Sequence, residues 1–230
     1  MKLEQFRQQV LDANLELVHR GLVLYTWGNA SGIYREEGII AIKPSGVPYD
    51  KMTAADIVLV DLDGTLVDGK LKPSSDLDTH LVLYKAFPSI GGIVHTHSRT
   101  ATAWAQACRE IPCLGTTHAD YFHGPVPVTE HLAAAEIHND YEGATGRAIV
   151  EAFAELDPVA VPGVLVAGHA PFTWGKDAAQ AAYHAVVLEE LARIAMETLA
   201  INPHAKPLPK AQLDKHYSRK HGKHATYGQG

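Results

Sequence analysis

The stretch Ile90-Gly-Gly-Ile-Val-His-Thr-His97 places an apolar run directly before two histidines. Side chains at positions i and i+2 of a β-strand point to the same side, so a strand over 90–97 presents His95 and His97 on one face near its carboxyl end. Two neutral imidazoles that converge on one point make half of a metal site. A lone histidine on a strand is more often an ordinary hydrogen-bonded residue, but the pair at a strand end predicts metal chemistry.

Short extended runs and helical segments surround this strand. Extended runs are predicted on both sides of the turn at 35–38, in a hairpin over 57–61 and 65–67, and at 161–167 and 172–174. Apolar spacing predicts helices at 3–19, 75–87 (capped by Ser74 or Ser75), 98–108, 130–155 (interrupted around 143–146) and 177–199. Hairpin-type connections interleaved with helices favour a central, mostly antiparallel sheet with helices packed on it. We expect one domain over residues 1–230.

Composition restricts the class of protein. The formal net charge of −6 over 230 residues argues against nucleic acid as the main partner. No apolar run reaches the ~20 residues that cross a bilayer, and charges stand where a signal peptide has its apolar core, so we expect a cytoplasmic protein with no membrane partner. The only two cysteines, Cys108 and Cys113, fit free thiols in a reducing compartment. The basic residues near the end indicate a solvated or subunit-facing segment.

Two further residues are candidate metal ligands. His169 follows a second buried strand and a glycine, and Asp76 lies at a loop-to-helix junction. Three imidazoles and one carboxylate suit Zn²⁺ and, less selectively, Mn²⁺ or Co²⁺. Spacing does not show that these two residues meet the pair, and ten other histidines are rivals.

Three short segments have the composition of an anion site. They are Trp27-Gly-Asn29, Lys43-Pro-Ser-Gly46 and Ser74-Ser75. Hydroxyl groups, a cation and open backbone N–H groups can hold a phosphate. Each segment taken alone is equally typical of a turn or a helix cap. Because Ser75 directly precedes Asp76, a phosphate site and a metal site would adjoin, as a phosphorylated substrate that bridges both requires.

Taken together, these segments resemble the L-ribulose-5-phosphate 4-epimerase family of the class II aldolase/epimerase superfamily. The matching segments run nearly end to end, in the expected order: Thr26-Trp-Gly-Asn29, Ile42-Lys-Pro-Ser-Gly46, Lys72-Pro-Ser-Ser-Asp76, Gly91-Gly-Ile-Val-His-Thr-His-Ser98, Gly115-Thr-Thr-His-Ala-Asp-Tyr121, Pro162-Gly-Val-Leu-Val166 with Gly168-His169, and Lys215-His-Tyr217 with Tyr227-Gly-Gln229. The segment 115–121 and the closing Tyr-Gly-Gln favour the epimerase branch over the aldolase branch. Ala167 departs from the family pattern, which has a histidine there that is not a ligand.

The resemblance implies a fold of the α/β class with three α-β-α layers, like that of class II aldolases. It also implies a homotetramer with active sites between subunits, in which Tyr227 reaches a neighbour's metal. The implied residues are a zinc site of Asp76, His95, His97 and His169, phosphate binding by Gly28, Asn29, Ser45, Gly46, Ser74 and Ser75 with Lys43 close by, and acid/base roles for Asp120 and Tyr227.

The implied reaction interconverts L-ribulose 5-phosphate and D-xylulose 5-phosphate by cleavage and re-formation of the C3–C4 bond. A metal ion would act as a Lewis acid, and one acid/base group is needed on each side of the aldehyde plane. Two alternatives remain: an aldolase that releases its products, and a non-catalytic protein that binds a sugar phosphate. A metal-dependent hydrolase is less favoured, because no candidate general base lies beside the histidine pair in sequence.

Overall fold

The computed structural model describes residues 3–222 and 225. Its strands are β1 Asn29–Tyr34, β2 Ile39–Ile42, β3 Val58–Asp61, β4 Leu66–Asp68, β5 Gly92–His95, β6 Gly163–Leu165 and β7 Pro171–Gly175. Its helices are α1 Leu3–His19, α2 Leu77–Ala86, α3 Arg99–Gln106, α4 Thr116–Ala119, α5 Ala134–Asn139, α6 Tyr141–Ala152, α7 Ala178–Ile201 and α8 Lys210–His221.

The strands form one sheet in the order β4-β3-β2-β1-β5-β7-β6, and every neighbouring pair of these strands is antiparallel. Successive strands lie side by side where a tight hairpin joins them, as in β1–β2 and β3–β4. β5 enters the centre of the sheet between β1 and β7. The predicted mostly antiparallel sheet is confirmed, and β5, which ends at His95, is an interior strand.

Apolar side chains cover both faces of the sheet. Along β2, Ile40 and Ile42 face a core that includes Leu77 of α2 and Ile149 of α6. Ile39 and Ala41 face the opposite core, which α1 and the first half of α7 cover. Because successive strand residues point to opposite sides, continuous apolar strands require a layer of helices on each face. The three-layer α-β-α arrangement is therefore confirmed.

Close approach of α7 to the sheet positions β5. A Cβ atom at Gly92 would lie 2.3 Å from the backbone nitrogen of Ala178, at the start of α7. Only glycine leaves room for this contact. Glycine at the beginning of β5 thus allows α7 to press against the strand that carries His95.

Several predicted element boundaries are corrected. β5 spans 92–95 rather than 90–97, and β6 spans 163–165 rather than 161–167. Asp76 is the N-cap residue of α2, in place of Ser74 or Ser75, and its side chain makes no capping hydrogen bond. The Asp76 carboxylate instead accepts a hydrogen bond from the amide of Asn29.

The predicted helix over 130–155 is divided at Asp140 and not at the glycines. Gly146 lies inside α6, where an added Cβ would stand 2.7 Å from Cβ of Val82 in α2. The glycine therefore serves the contact between two helices rather than a break. Among the described residues, no helix is both long enough and apolar enough to cross a membrane.

Candidate active site

Three imidazoles meet at one end of the sheet. The nitrogen atoms that His95, His97 and His169 can offer as ligands all lie within 4.8 Å of one another. His95 is the last residue of β5, His97 follows two residues later, and His169 lies in the turn between β6 and β7. Antiparallel pairing of β5 with β7 brings this turn beside the end of β5. The predicted third histidine therefore joins the predicted pair.

His95 is held in one orientation and one tautomer. Its ring stacks on Phe172 at 4.3 Å between centroids, and its Nδ1 lies 3.0 Å from the carbonyl oxygen of Pro171. Because a carbonyl only accepts hydrogen bonds, the proton resides on Nδ1, and Nε2 presents a lone pair. That lone pair faces Nε2 of His97 at 3.1 Å.

His97 is positioned by the helix that follows it. The carboxylate of Glu189 in α7 accepts hydrogen bonds from the backbone nitrogens of Thr100 and Ala101, at 2.7 Å and 2.9 Å. These N–H groups belong to the first turn of α3, where backbone N–H groups have no hydrogen-bond acceptor within the helix itself. An acidic side chain at a helix start is also favoured by the helix dipole. The cap fixes the start of α3, and with it the segment that carries His97.

Asp76 lies beside the histidine cluster. Its carboxylate accepts from the amide nitrogen of Asn29, which also donates to Oγ of Ser74 at 3.0 Å. Burial raises the pKa of Asp76, but charge interactions with neighbouring histidines and the Asn29 hydrogen bond outweigh it, leaving the pKa below its usual range. The side chain is therefore an anion at neutral pH.

The donor set suits a divalent metal. Burial lowers the pKa of His95 to about 4, and it also lowers the pKa of His97 and His169, so all three are neutral ligands at pH 7. Two nitrogen ligands of a tetrahedral zinc at about 2.1 Å lie about 3.4 Å apart, close to the separation seen between His95 and His97. The carboxylate of Asp76 lines the same cavity and has the right chemistry for a fourth donor, but it lies outside the group of three nitrogen ligands that are within 4.8 Å of one another. Three imidazoles and one carboxylate fit zinc better than they fit the oxygen-seeking Mg²⁺ or Ca²⁺.

A cavity of about 670 Å³ opens over this cluster. The segments predicted to bind an anion all line it, from three separate parts of the chain: Gly28 and Asn29, Lys43 with Ser45 and Gly46, and Ser74 with Ser75. Backbone hydrogen bonds from Ser74 N to Lys43 O and from Ser45 N to Lys72 O hold two of these segments together, each at 2.9 Å. The structure thus assembles every residue predicted for the phosphate around the same cavity as the histidines.

Lys43 is a buried cation in the wall of this cavity. Its side chain is 2% exposed, its Nζ donates to the carbonyl oxygen of Pro44 at 3.1 Å, and it lies 4.8 Å from the centre of the Tyr49 ring. Burial lowers its pKa. Within 3–222 and 225, no carboxylate lies within ion-pair distance of Nζ. A buried cation without a counter-ion is a favourable place for an anionic ligand group.

Asp120 lies in a different environment. It follows α4 and is not one of the described residues that line the cavity. Arg219 of α8 donates to both of its carboxylate oxygens, at 3.0 Å and 2.6 Å, and His216 lies 3.1 Å from Oδ1. Burial raises the pKa of Asp120, but these hydrogen bonds and the positive charges outweigh it and hold the pKa below its usual range. Tyr227, the other predicted acid/base residue, lies outside the described residues.

Two cavity residues lie outside every site segment named from the sequence. Tyr141 and Glu142 begin α6 and line the cavity. The Tyr141 hydroxyl lies 3.4 Å from Nδ1 of His169. No local pattern distinguishes them from other residues at a helix start, because their proximity to the site comes from the packing of α6 against α2.

Comparison with known proteins agrees with this geometry. Residues 8–196 match the sequence profile of the Class II Aldolase and Adducin N-terminal domain family. The chain belongs to this family. The predicted family resemblance is confirmed, and the match includes the histidine cluster and every segment predicted to bind an anion.

Proteins that match this chain over its whole length carry a narrower name than that of the class II aldolase family. An L-ribulose-5-phosphate 4-epimerase UlaF of Salmonella paratyphi B is 52% identical over 227 residues, 99% of this chain and 100% of the relative. The protein of the same name from Salmonella typhi matches to the same extent, at 52% identity over 227 residues.

Solved structures share the fold. An L-fuculose 1-phosphate aldolase superposes with a TM-score of 0.80 at 24% identity, covering 94% of this chain and 95% of that one. YgbL of Klebsiella pneumoniae, described as a putative aldolase/epimerase/decarboxylase, has a TM-score of 0.72 at 26% identity, with 94% and 99% covered.

Proposed function

We propose that this class II aldolase-family chain is a metal-dependent epimerase that interconverts L-ribulose 5-phosphate and D-xylulose 5-phosphate. The observation that carries the proposal is one cavity with a cluster of three neutral histidines and a buried Lys43 that lacks a carboxylate partner among the described residues. Such a cavity suits a small molecule with a phosphate at one end and metal-binding oxygens at the other. The choice of pentulose phosphate rests on the full-length relatives that bear the epimerase name.

Seven residues would hold the phosphate. Lys43 supplies the charge, and the hydroxyl groups of Ser45, Ser74 and Ser75 are hydrogen-bond donors. Gly28 and Gly46 both have φ in the left-handed region, at 101° and 68°, which lets the backbone approach a ligand without a side chain in the way. Asn29 links the two ends of the cavity, because its amide contacts both Ser74 and Asp76.

Asp76, His95, His97 and His169 would hold the metal. We propose Zn²⁺, one per subunit, with Mn²⁺ or Co²⁺ as possible substitutes. When bound, the ion supplies Lewis-acid stabilisation of the negative charge that develops on the substrate's ketone-bearing half. The Asp76 carboxylate would neutralise part of the charge of the ion, and the three neutral histidines would supply its other protein ligands.

Inversion at C4 requires cleavage of a carbon–carbon bond. C4 is not adjacent to the ketone at C2, so simple enolisation cannot invert it. Breaking the C3–C4 bond leaves glycolaldehyde phosphate and the enediolate of dihydroxyacetone, and addition to the other face of the aldehyde gives the epimer. A base must take the proton of the C4 hydroxyl, and an acid must return one to the new hydroxyl.

Asp120 and Tyr227 are the proposed acid/base residues. Hydrogen bonds with Arg219 and His216 keep the Asp120 carboxylate ionised at neutral pH, which is the form that can accept a proton, although the lowered pKa also makes it a weaker base. Because Asp120 does not line the cavity of its own chain, we propose a homotetramer in which active sites form between subunits. The enzyme would work in the cytoplasm as a single domain, on a free sugar phosphate.

The deciding experiment is C4 inversion of L-ribulose 5-phosphate by zinc-loaded protein. We expect D-xylulose 5-phosphate to form, activity to disappear on chelation, and activity to return with zinc. Release of free glycolaldehyde phosphate without epimer would make the protein an aldolase instead. Tight binding of the pentulose phosphate with no turnover at any metal loading would show a non-catalytic binding protein.

A further inference from the structure

We propose that Trp27 determines the outcome of the reaction by retaining the cleaved aldehyde until it re-adds. This inference rests on the epimerase function proposed above and deepens it. The indole would favour epimerisation over release of the two fragments. Trp27 would therefore be a specificity-determining residue, with no part in proton transfer or metal binding.

The ring of Trp27 lies close to the histidine cluster. The side chain lines the cavity, and its ring centroid lies 6.4 Å from that of His97. In the chain it directly precedes Gly28 and Asn29, which belong to the proposed phosphate site. The bond that breaks lies between the phosphate-bearing carbons and the end of the sugar that the histidine-held metal would bind. Trp27 therefore lies beside the part of the cavity where the aldehyde forms.

The backbone beside Trp27 is fixed on two sides. A Cβ atom on Gly28 would lie 2.7 Å from the carbonyl oxygen of His95, so the loop presses directly on the end of β5. The Tyr49 hydroxyl donates to the carbonyl oxygen of Gly28 at 2.8 Å. Since Trp27 is bonded to this anchored glycine, its backbone is held beside the cavity.

A second aromatic ring supports the indole from outside. Tyr25 packs edge-on against Trp27, with ring centroids 6.3 Å apart. The backbone of Tyr25 has a φ of 53°, which is uncommon for a residue with a side chain. The backbone nitrogen of Trp27 also donates to the carbonyl oxygen of Leu24 at 3.0 Å. The loop thus adopts a tight turn that presents an aromatic pair at the cavity mouth.

Burial indicates that this ring does little for the core. Trp27 is 52% exposed and Tyr25 is 86% exposed. A tryptophan that served folding alone would lie in a core cluster, as Trp104 and Trp174 do. Placement at the mouth instead makes the indole a partial wall between the cavity and solvent, so its removal should leave the fold intact.

The chemistry of inversion creates a need for such a wall. When the C3–C4 bond breaks, its electron pair stays on C3 and the C4 hydroxyl proton passes to a base, leaving a neutral aldehyde. Until the C3–C4 bond re-forms and a proton returns, only the phosphate group holds this fragment. The aldehyde must turn to expose its other face, and escape to solvent competes with that turn. An apolar wall slows escape and excludes water without bonding to the aldehyde.

The test measures how the cleaved intermediate partitions. Trp27→Ala, Trp27→Leu and Trp27→Phe are each given L-ribulose 5-phosphate, and the ratio of free glycolaldehyde phosphate to D-xylulose 5-phosphate is measured. The aldehyde is trapped with a hydrazine and quantified by mass spectrometry. Leu24→Ala is the matched control, because Leu24 is 57% exposed in the same loop and does not line the cavity.

We expect Trp27→Ala to raise the ratio about tenfold, the scale on which one apolar group discriminates between competing outcomes. Trp27→Leu should give a smaller rise, and Trp27→Phe and Leu24→Ala should stay near wild type. Zinc content should equal that of wild type in every variant, which excludes damage to the histidine cluster as the cause.

A ratio in Trp27→Ala and Trp27→Leu equal to wild type, with normal zinc content, would overturn the inference. So would an equal rise in Leu24→Ala, since that would show a general effect of the loop. These outcomes leave the proposed function standing if wild type inverts C4. Failure of wild type to invert C4 would instead overturn the proposed function, and the inference with it.

Discussion

At the scale of single residues, the histidines differ in how firmly they are held. His95 is buried, stacked on Phe172 and hydrogen-bonded to Pro171, so its free nitrogen has one direction. His97 is more exposed, and the capped start of α3 holds the backbone segment that carries it. The His95 ligand is therefore oriented by contacts of its own ring, and the His97 ligand is positioned through the backbone at the start of α3.

Replacing His97 with asparagine should weaken zinc binding at least about tenfold, because an imidazole is removed and an amide is a poorer zinc ligand. Competition with a chromogenic chelator would measure the affinity, with exposed His19→Asn as the matched control. Zinc affinity in His97→Asn equal to that of wild type would show that this residue is not a ligand.

Short-range sequence patterns predicted some residues of the site and missed others. The spacing of His95 and His97 predicted the pair because strand geometry alone relates positions i and i+2. His169 and Asp76 were named as candidates from their positions at a strand end and a helix start, although spacing could not bring them to the pair. Tyr141 and Glu142 carried no signal, since their place at the cavity depends on how α6 packs.

At the scale of elements, α4 and α8 form a unit that sequence patterns did not predict. Basic residues of 206–223 indicated a solvated or subunit-facing segment, yet Lys210–His221 is a helix that packs on α4. Its hydrogen bonds converge on Asp120, through Arg219, His216 and His221. Polar contacts with a distant element hold this helix in place, and apolar periodicity does not report such contacts.

His118 in α4 should make folding stability sensitive to acid. It is 4% exposed, its Nε2 donates to the carbonyl oxygen of Gly124 at 2.8 Å, and burial lowers its pKa to about 4. The unfolded chain binds a proton at a pKa of about 6.5, so this stability is complete above that value and is lost as pH falls toward 4. Between pH 7 and pH 5 the loss from this residue is about 2 kcal/mol.

Urea unfolding at pH 7 and pH 5 would measure this contribution. We expect His118→Gln, which can still donate to Gly124, to lose less stability than wild type between the two pH values. Exposed His19→Gln should behave as wild type does. The same pH dependence in His118→Gln and wild type would contradict the assignment of a buried neutral imidazole.

At the scale of the whole molecule, Asp120, the proposed acid/base residue that the structure describes, lies apart from the histidine cluster. The histidine cluster and the phosphate segments share a cavity, whereas Asp120 lies with α8 outside it. An enzyme that needs both groups at one substrate can bring them together by pairing two copies of the chain, and closed symmetric oligomers do this at every subunit interface.

Mixed oligomers would test whether sites form between subunits. We expect Tyr227→Phe and His97→Asn each to have low activity alone. Co-assembled in equal amounts, they should recover about a quarter of wild-type activity, because one site in four then combines an intact metal set with an intact neighbouring tyrosine. No recovery in verified mixed oligomers would place all catalytic groups of a site in one chain.

Residue types and local spacing were sufficient to predict the approximate course of the elements and the kind of chemistry that this protein's site could support. Residue types, alternation and the end-to-end resemblance predicted a mostly antiparallel sheet, a histidine pair and three candidate anion-binding segments, because these features depend on local spacing. Only the tertiary contacts bring the candidate site residues together. The β5–β7 pairing brings His169 to His95, loop-to-loop hydrogen bonds bring Lys43 to Ser74, and helix packing adds Tyr141. Such meetings depend on contacts between residues far apart in the chain, which no local pattern encodes.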